Sequence, residues 1–172
     1  MRRHFGAVAV LVVGLLNQLA GARADPSFTR VRPLDPQARA LLLDAWQSSG
    51  TVRALIETLE HSDLIVLIES RHAVAALRGS VHLMSATPER RFLRVSVKVS
   101  GWRERLLPAL AHELQHAVEI ARAPEVINKP ALAQLFRRIG HEWDQGLFET
   151  EAALAIEEKV RLEVTSVSRR RP

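Results

Sequence analysis

Two histidines four residues apart bracket a glutamate in His112-Glu113-Leu114-Gln115-His116. On an α-helix, positions i and i+4 stand one turn apart on the same face, so both imidazoles can grip one metal ion. The carboxylate beside the first histidine can then hold a water molecule and accept its proton, which is the chemistry of metal-assisted hydrolysis. His112 and His116 are therefore candidate ligands and Glu113 is the candidate general base. The chain has no cysteine, which excludes thiolate ligands and a cysteine nucleophile. Any further ligand must be an imidazole or a carboxylate, and Zn2+ suits that donor set.

The flanking residues mark out the helix that would carry the motif. Pro108 is tolerated in a first turn, so the start is expected near Leu106 or Pro108, and Pro124 supplies the stop. That leaves roughly 17 residues, about 25 Å of helix. Leu107, Leu110, Leu114, Val118 and Ala121 form its apolar stripe, and His112, His116 and Glu119 fall on the opposite side. An ordinary solvated face is the alternative for that polar side.

Catalytic zinc keeps three protein ligands and a water, so a third donor is needed from elsewhere. A last helix is expected from Leu147 or Phe148 to about Val164. With Ile156 at the centre of its stripe, Glu149 lies within about 60° of the buried direction. A carboxylate there is costly unless paired or bound to a metal, which makes Glu149 the candidate third ligand. A solvent-facing Glu149 at the helix start is the alternative, and Glu151 is the reserve if the register shifts. Glu163, on the same stripe but turns away, is expected to be an ion-pair partner.

The rest of the chain must build the scaffold. Asp25 to Pro36 reads as an extended lead-in, with Asp35 capping and Pro36 opening a helix over Gln37 to Gln47. Thr51 to Glu60 is a second helix. Strands are expected over Asp63–Glu69, Ser80–Ser85 and Arg91–Ser100, with Arg71 to Leu77 a short helix or loop. The last strand alternates Leu93, Val95, Val97 and Val99 with polar residues. It could stand at the sheet edge, where a peptide would pair with it, or in the interior. Pro130 to Gly140 is a further helix and His141 to Gly146 a loop. The fold class is α+β: a short mixed or antiparallel sheet of about three strands packed on helices.

The first 24 residues join a basic start to an apolar run, Phe5 to Gly21, and end in Ala22-Arg23-Ala24. This is the pattern of a secretory signal peptide cut after Ala24, leaving a secreted or periplasmic product with no membrane anchor. Its removal takes away three arginines and no acid, so 21 Lys and Arg remain against 19 Asp and Glu, a net charge of +2. With no basic stripe interleaved with aromatics, nucleic acid is excluded as a partner. Residues 25–165 then form one domain, and 166–172 a basic disordered tail.

A strand, a helix bearing His112, Glu113 and His116, and a later helix with an inward glutamate together resemble the zincin metallopeptidases, the gluzincin branch in particular. Glu149-Thr150-Glu151-Ala152 looks like that branch's second motif, and the match runs over about residues 91–160. The chain also resembles small secreted bacterial proteins of this type. The resemblance implies a zincin-like domain that hydrolyses peptide bonds of a peptide or protein substrate, with Zn2+ on His112, His116 and Glu149. Several gluzincins carry an acid where Ala153 stands here, so Glu119 or Asp144 is left to orient the histidines. The chain has no tyrosine, which leaves His141 or Arg161 to stabilise an oxyanion. Two other readings share these residues: an exported binding or scaffolding domain with a decayed or non-catalytic metal site, and a hydrolase of non-peptide amides.

Overall fold

The computed structural model describes residues 26–71, 78–144 and 146–168. The expected signal peptide, residues 72–77 and the terminal arginines lie outside them.

Helix α1 (Pro36–Ser48) starts where the sequence places it. The Asp35 carboxylate accepts from the Ala38 N–H at 2.8 Å, and Pro36 occupies a position whose N–H needs no partner. Ser49 ends α1 and caps α2 (Gly50–Glu60), its Oγ accepting from the Val52 N–H. The branched aliphatic runs form strands β2 (Leu64–Arg71), β3 (Gly79–Ala86) and β4 (Arg91–Lys98). A short strand the sequence did not suggest, β1 (Val31–Pro33), precedes them. Its entry is held by Glu60, which accepts from the Arg30 and Val31 N–H groups at 3.0 Å.

The strands form one mixed sheet in the order β1-β2-β4-β3, in which only β3 runs antiparallel to its neighbour. The sheet has four strands rather than three, and the described residues include five helices, so the fold is α+β. Strand β4 is interior; the edges are β1 and β3.

Helix α3 (Arg103–Ala121) carries the histidine motif and packs on α5, β3 and β4. It is buried on every side from Leu107 to Ile120, so its polar face is not a solvated one. It begins before Leu106, with Pro108 in its second turn. The missing Pro108 N–H removes one helical bond close to the N-terminus, where the loss is smallest. At the other end Arg91, buried at the start of β4, donates to the carbonyls of Ile120 (3.0 Å) and Ala123 (2.7 Å) while its other nitrogens hold Asp63 at 2.7 and 2.8 Å. The first residue of β4 thereby fixes where the motif helix ends.

Helix α4 (Lys129–Ile139), capped by Asn128, follows. The loop and helix start expected over 141–149 are instead a two-stranded antiparallel ribbon, β5 (His141–Asp144) and β6 (Leu147–Glu149). Thr150 then caps α5 (Glu151–Ser168), accepting from the Ala153 N–H at 3.1 Å. Helix α5 runs to Ser168, so residues 166–168 of the expected tail are helical. Its buried stripe is Ala153, Glu157, Val160 and Val164. Among the described residues Glu163 meets hydroxyls rather than a contacting cation: its carboxylate accepts from Ser49 (2.5 Å) and Thr51 (2.6 Å) at the start of α2. Among the described residues no helix is long and apolar enough to cross a membrane.

Candidate metal centre

The spacing of His112 and His116 on α3 brings their Nε2 atoms to 3.1 Å. Each ring turns its other nitrogen to a carboxylate. His116 Nδ1 lies 2.9 Å from Glu119 Oε2, and His112 Nδ1 lies 3.2 Å from Glu157 Oε2. The second contact is close but poorly aligned, so it is not a well-formed hydrogen bond. Glu119 is held in turn by Thr150, whose hydroxyl donates to Oε1 at 2.7 Å. Burial resists ionisation of Glu119, but hydrogen bonds from His116, Thr150 and Gln115 outweigh it and keep the carboxyl below its usual range.

Glu149 Oε2 stands 3.4 Å from His112 Nε2. It arrives there by a route the sequence did not show. Glu149 is the last residue of β6, not a residue of the final helix, and Gly140 at the end of α4 sets its position. A Cβ on Gly140 would lie 2.3 Å from the Glu149 carbonyl oxygen, so only glycine lets the ribbon fold back this closely. Glu151 is exposed in the first turn of α5, where an acid suits the helix dipole.

Glu113 is almost wholly enclosed. A Cβ on Gly79, at the start of β3, would meet its Oε1 at 2.4 Å, its Cγ at 2.6 Å and its Cδ at 2.7 Å, so the bare backbone there forms one wall of its slot. Burial pushes its pKa up to about 7; the charges of Glu149 and Glu157 add to the rise and that of His116 opposes it. Burial and the neighbouring His116 lower the pKa of His112, only partly offset by Glu149 and Glu157. For His116 burial pulls the pKa down, but Glu119, Glu113 and Glu149 outweigh it and the value rises.

A cavity of about 300 Å³ opens beside these groups, bordered by β3, α4 and the ribbon. Phe136 of α4 meets the His116 ring edge-on at 5.2 Å and stacks with Phe148 at 6.2 Å.

The chain matches no protein-family model, no curated protein and no solved structure. What the site can do is carried by its own atoms.

Donor atoms held at about 2.0–2.1 Å around tetrahedral zinc stand about 3.3 Å apart. The separations of 3.1 Å between the imidazoles and 3.4 Å from His112 to Glu149 bracket that edge. Among the described residues no three His, Asp or Glu side chains are grouped closely enough to hold a metal ion together, so the match is to two edges of the tetrahedron only. The chemistry of the donors agrees. A hydrogen on His116 Nδ1, facing Glu119, leaves a lone pair on its Nε2; with His112 in the same tautomer, the two lone pairs at 3.1 Å repel unless a cation or a proton lies between them. The two imidazoles, by donor type and separation, suit a divalent metal.

His141 does not join the site. It is exposed at the start of β5 and borders a separate concavity behind Glu119 and Thr150. Arg161 is engaged by Glu157 and Glu158 on α5, and Asp144 is exposed in β5. Glu157 was missed. Its signal was its place in the 4-3-4 spacing from Ala153 through Val160 to Val164, obscured by centring the stripe on Ile156. Arg78 also binds it, at 2.8 Å.

Proposed function

We propose that the mature chain is an exported zinc-dependent hydrolase of peptide bonds, resembling the gluzincin branch of the zincin metallopeptidases. His112, His116 and Glu149 would hold the metal. Zn2+ in that position supplies a Lewis acid and makes nearby water more acidic. Glu113 accepts a proton from the attacking water and returns it to the leaving amine, a task its near-neutral pKa suits. Glu119 keeps the His116 Nε2 turned inward, the role of a carboxylate behind a metal-binding imidazole, and Glu157 stands behind the His112 ring. Strand β3 borders the cavity as a sheet edge, which supports an extended substrate added alongside it through main-chain hydrogen bonds.

The observation that carries this reading is the pair of Nε2 atoms facing each other at 3.1 Å while each Nδ1 faces a carboxylate. The test is bound metal per purified chain, with cleavage of unstructured peptides measured beside it. Wild type, E113Q and E151A are expected to hold about one zinc each, and H112A and E149A to lose it. E113Q is expected to abolish cleavage. Full zinc retention in E149A, or zinc-bound wild type without any Glu113-dependent cleavage, refutes the proposal.

A further inference from the structure

Among the described residues, one face of the four-stranded sheet has no covering layer. Val66, Ile68, Leu93 and Val95 turn into the core that α1, α2 and α3 share, whereas Ile65, Leu67 and Phe92, which alternate with them, belong to no part of it. The strand register sets charges across this second face in rows. In one row Arg32 of β1 and Arg94 of β4 flank Leu67, two strand spacings or about 10 Å apart. About 13 Å further along, Arg71 and Lys98 stand side by side. Arg32 and Arg71 are exposed, Arg94 and Lys98 half-exposed. Glu69, in the row between, is the one acid on the face among the described residues. It accepts from Ser96 at 2.7 Å and pairs with Arg71 at 3.0 Å, while Arg94 Nε lies 3.8 Å away, enclosed and without a hydrogen-bond partner. Neither Arg32, whose Nε donates to the Thr29 carbonyl, nor Lys98 meets a carboxylate among the described residues. Four cations against one acid leave a positive excess. The His82 imidazole, opposite Arg94, adds nothing near neutral pH: burial first, then Arg71, Lys129 and Arg94, hold its pKa below the ordinary value, with Glu69 opposing.

We propose that this open sheet face docks on an anionic bilayer surface, with Arg32, Arg71, Arg94 and Lys98 against lipid phosphates and Leu67 and Phe92 at the headgroup boundary. The charges are spread over three strands and converge on no point, which matches a field of phosphates rather than one bound ion. Long cationic stems lying over apolar neighbours suit a boundary that is charged above and oily below. A single-stranded nucleic acid would need a run of stacking aromatics, and this face offers only Phe92 among the described residues. An acidic peptide strand would pair along a sheet edge rather than lie across a face. The histidine motif is on the helical side of the sheet, so the docked chain turns its metal site away from the lipid. This docking does not depend on the hydrolase reading.

The test is co-sedimentation of the mature chain with vesicles of phosphatidylcholine alone or with about one third phosphatidylglycerol, at low salt. The anionic vesicles are expected to bind at least about tenfold tighter than the neutral ones, and the difference should vanish near 1 M salt, where the screening length falls to about 3 Å. R32Q and K98Q should each weaken binding about fivefold and together about 25-fold, as one charge each is lost from the lipid surface. Neither side chain holds a carboxylate, so the fold loses no ion pair. R105Q removes the same charge from the exposed start of α3, on the helical side, and should leave binding unchanged. A single-stranded oligonucleotide and polyglutamate, titrated at the same salt, test the other two occupants. Equal binding to neutral and anionic vesicles, an equal loss in R105Q, or either polymer bound at least as tightly as the anionic vesicles overturns the proposal.

Discussion

Replacing Glu113 by glutamine in metal-stripped protein should stabilise the fold at alkaline pH and leave it unchanged in acid. The Glu113 carboxyl titrates near 4.5 in the unfolded chain and about 7 in the folded one, because burial opposes its charge. Below about pH 4.5 it is protonated in both states and contributes nothing. Between the two values the folded chain binds the proton that the unfolded chain has released, so stability falls as pH rises; above about pH 7 the loss is complete. A gap of about 2.5 units at 1.36 kcal/mol each is a loss of about 3 kcal/mol. Glutamine has nearly the same shape and no charge, and His112, His116, Glu119 and Glu149 are common to both chains. The difference between E113Q and wild type should therefore grow from about 1 kcal/mol at pH 5 to about 3 kcal/mol at pH 8. Urea denaturation in chelator at pH 5, 6, 7 and 8 measures it, as a midpoint shift of roughly 1–3 M. A difference that does not vary with pH, or wild type the more stable at pH 8, refutes the placement of Glu113 in an enclosed slot.

Gly79→Ala forces a methyl into the space of the Glu113 side chain, so it should cost about 1–3 kcal/mol. Adding E113A to G79A should return most of that loss, and a double-mutant cycle with no coupling would count against the contact. Arg91→Met takes the donors from the end of α3 and should destabilise by about 3 kcal/mol in urea; a loss under about 1 kcal/mol would show that the clamp is dispensable. Glu119→Gln weakens the charge behind His116 and should loosen zinc binding by about 10–100-fold in competition with a chelating dye, against unchanged affinity if Glu119 is a bystander.

The elements legible in the sequence are those whose signals are local. Asp35-Pro36 announces α1, the alternation of Leu93, Val95 and Val97 announces β4, and Pro130 to Gly140 bounds α4 within a residue. The ribbon over 141–149 was not legible because its strands are only four and three residues long, shorter than any period can register. Helix α3 carries a polar face that periodicity alone cannot distinguish from a solvated one. Its burial comes from α5 and β3, which lie far along the chain.

By itself the sequence determined that His112 and His116 stack on one helix face with Glu113 beside them, because an i, i+4 spacing is set by the pitch of the helix. It also determined, by lacking cysteine, that any partner ligand must be an imidazole or carboxylate. Only the tertiary structure decided which carboxylates come near. Glu149 reaches His112 because Gly140 lets the ribbon fold back, Glu157 stands behind the same ring because α5 packs along α3, and β3 borders the cavity because the antiparallel strand falls at the sheet edge. Each depends on contacts between residues distant in the chain, which no local pattern encodes.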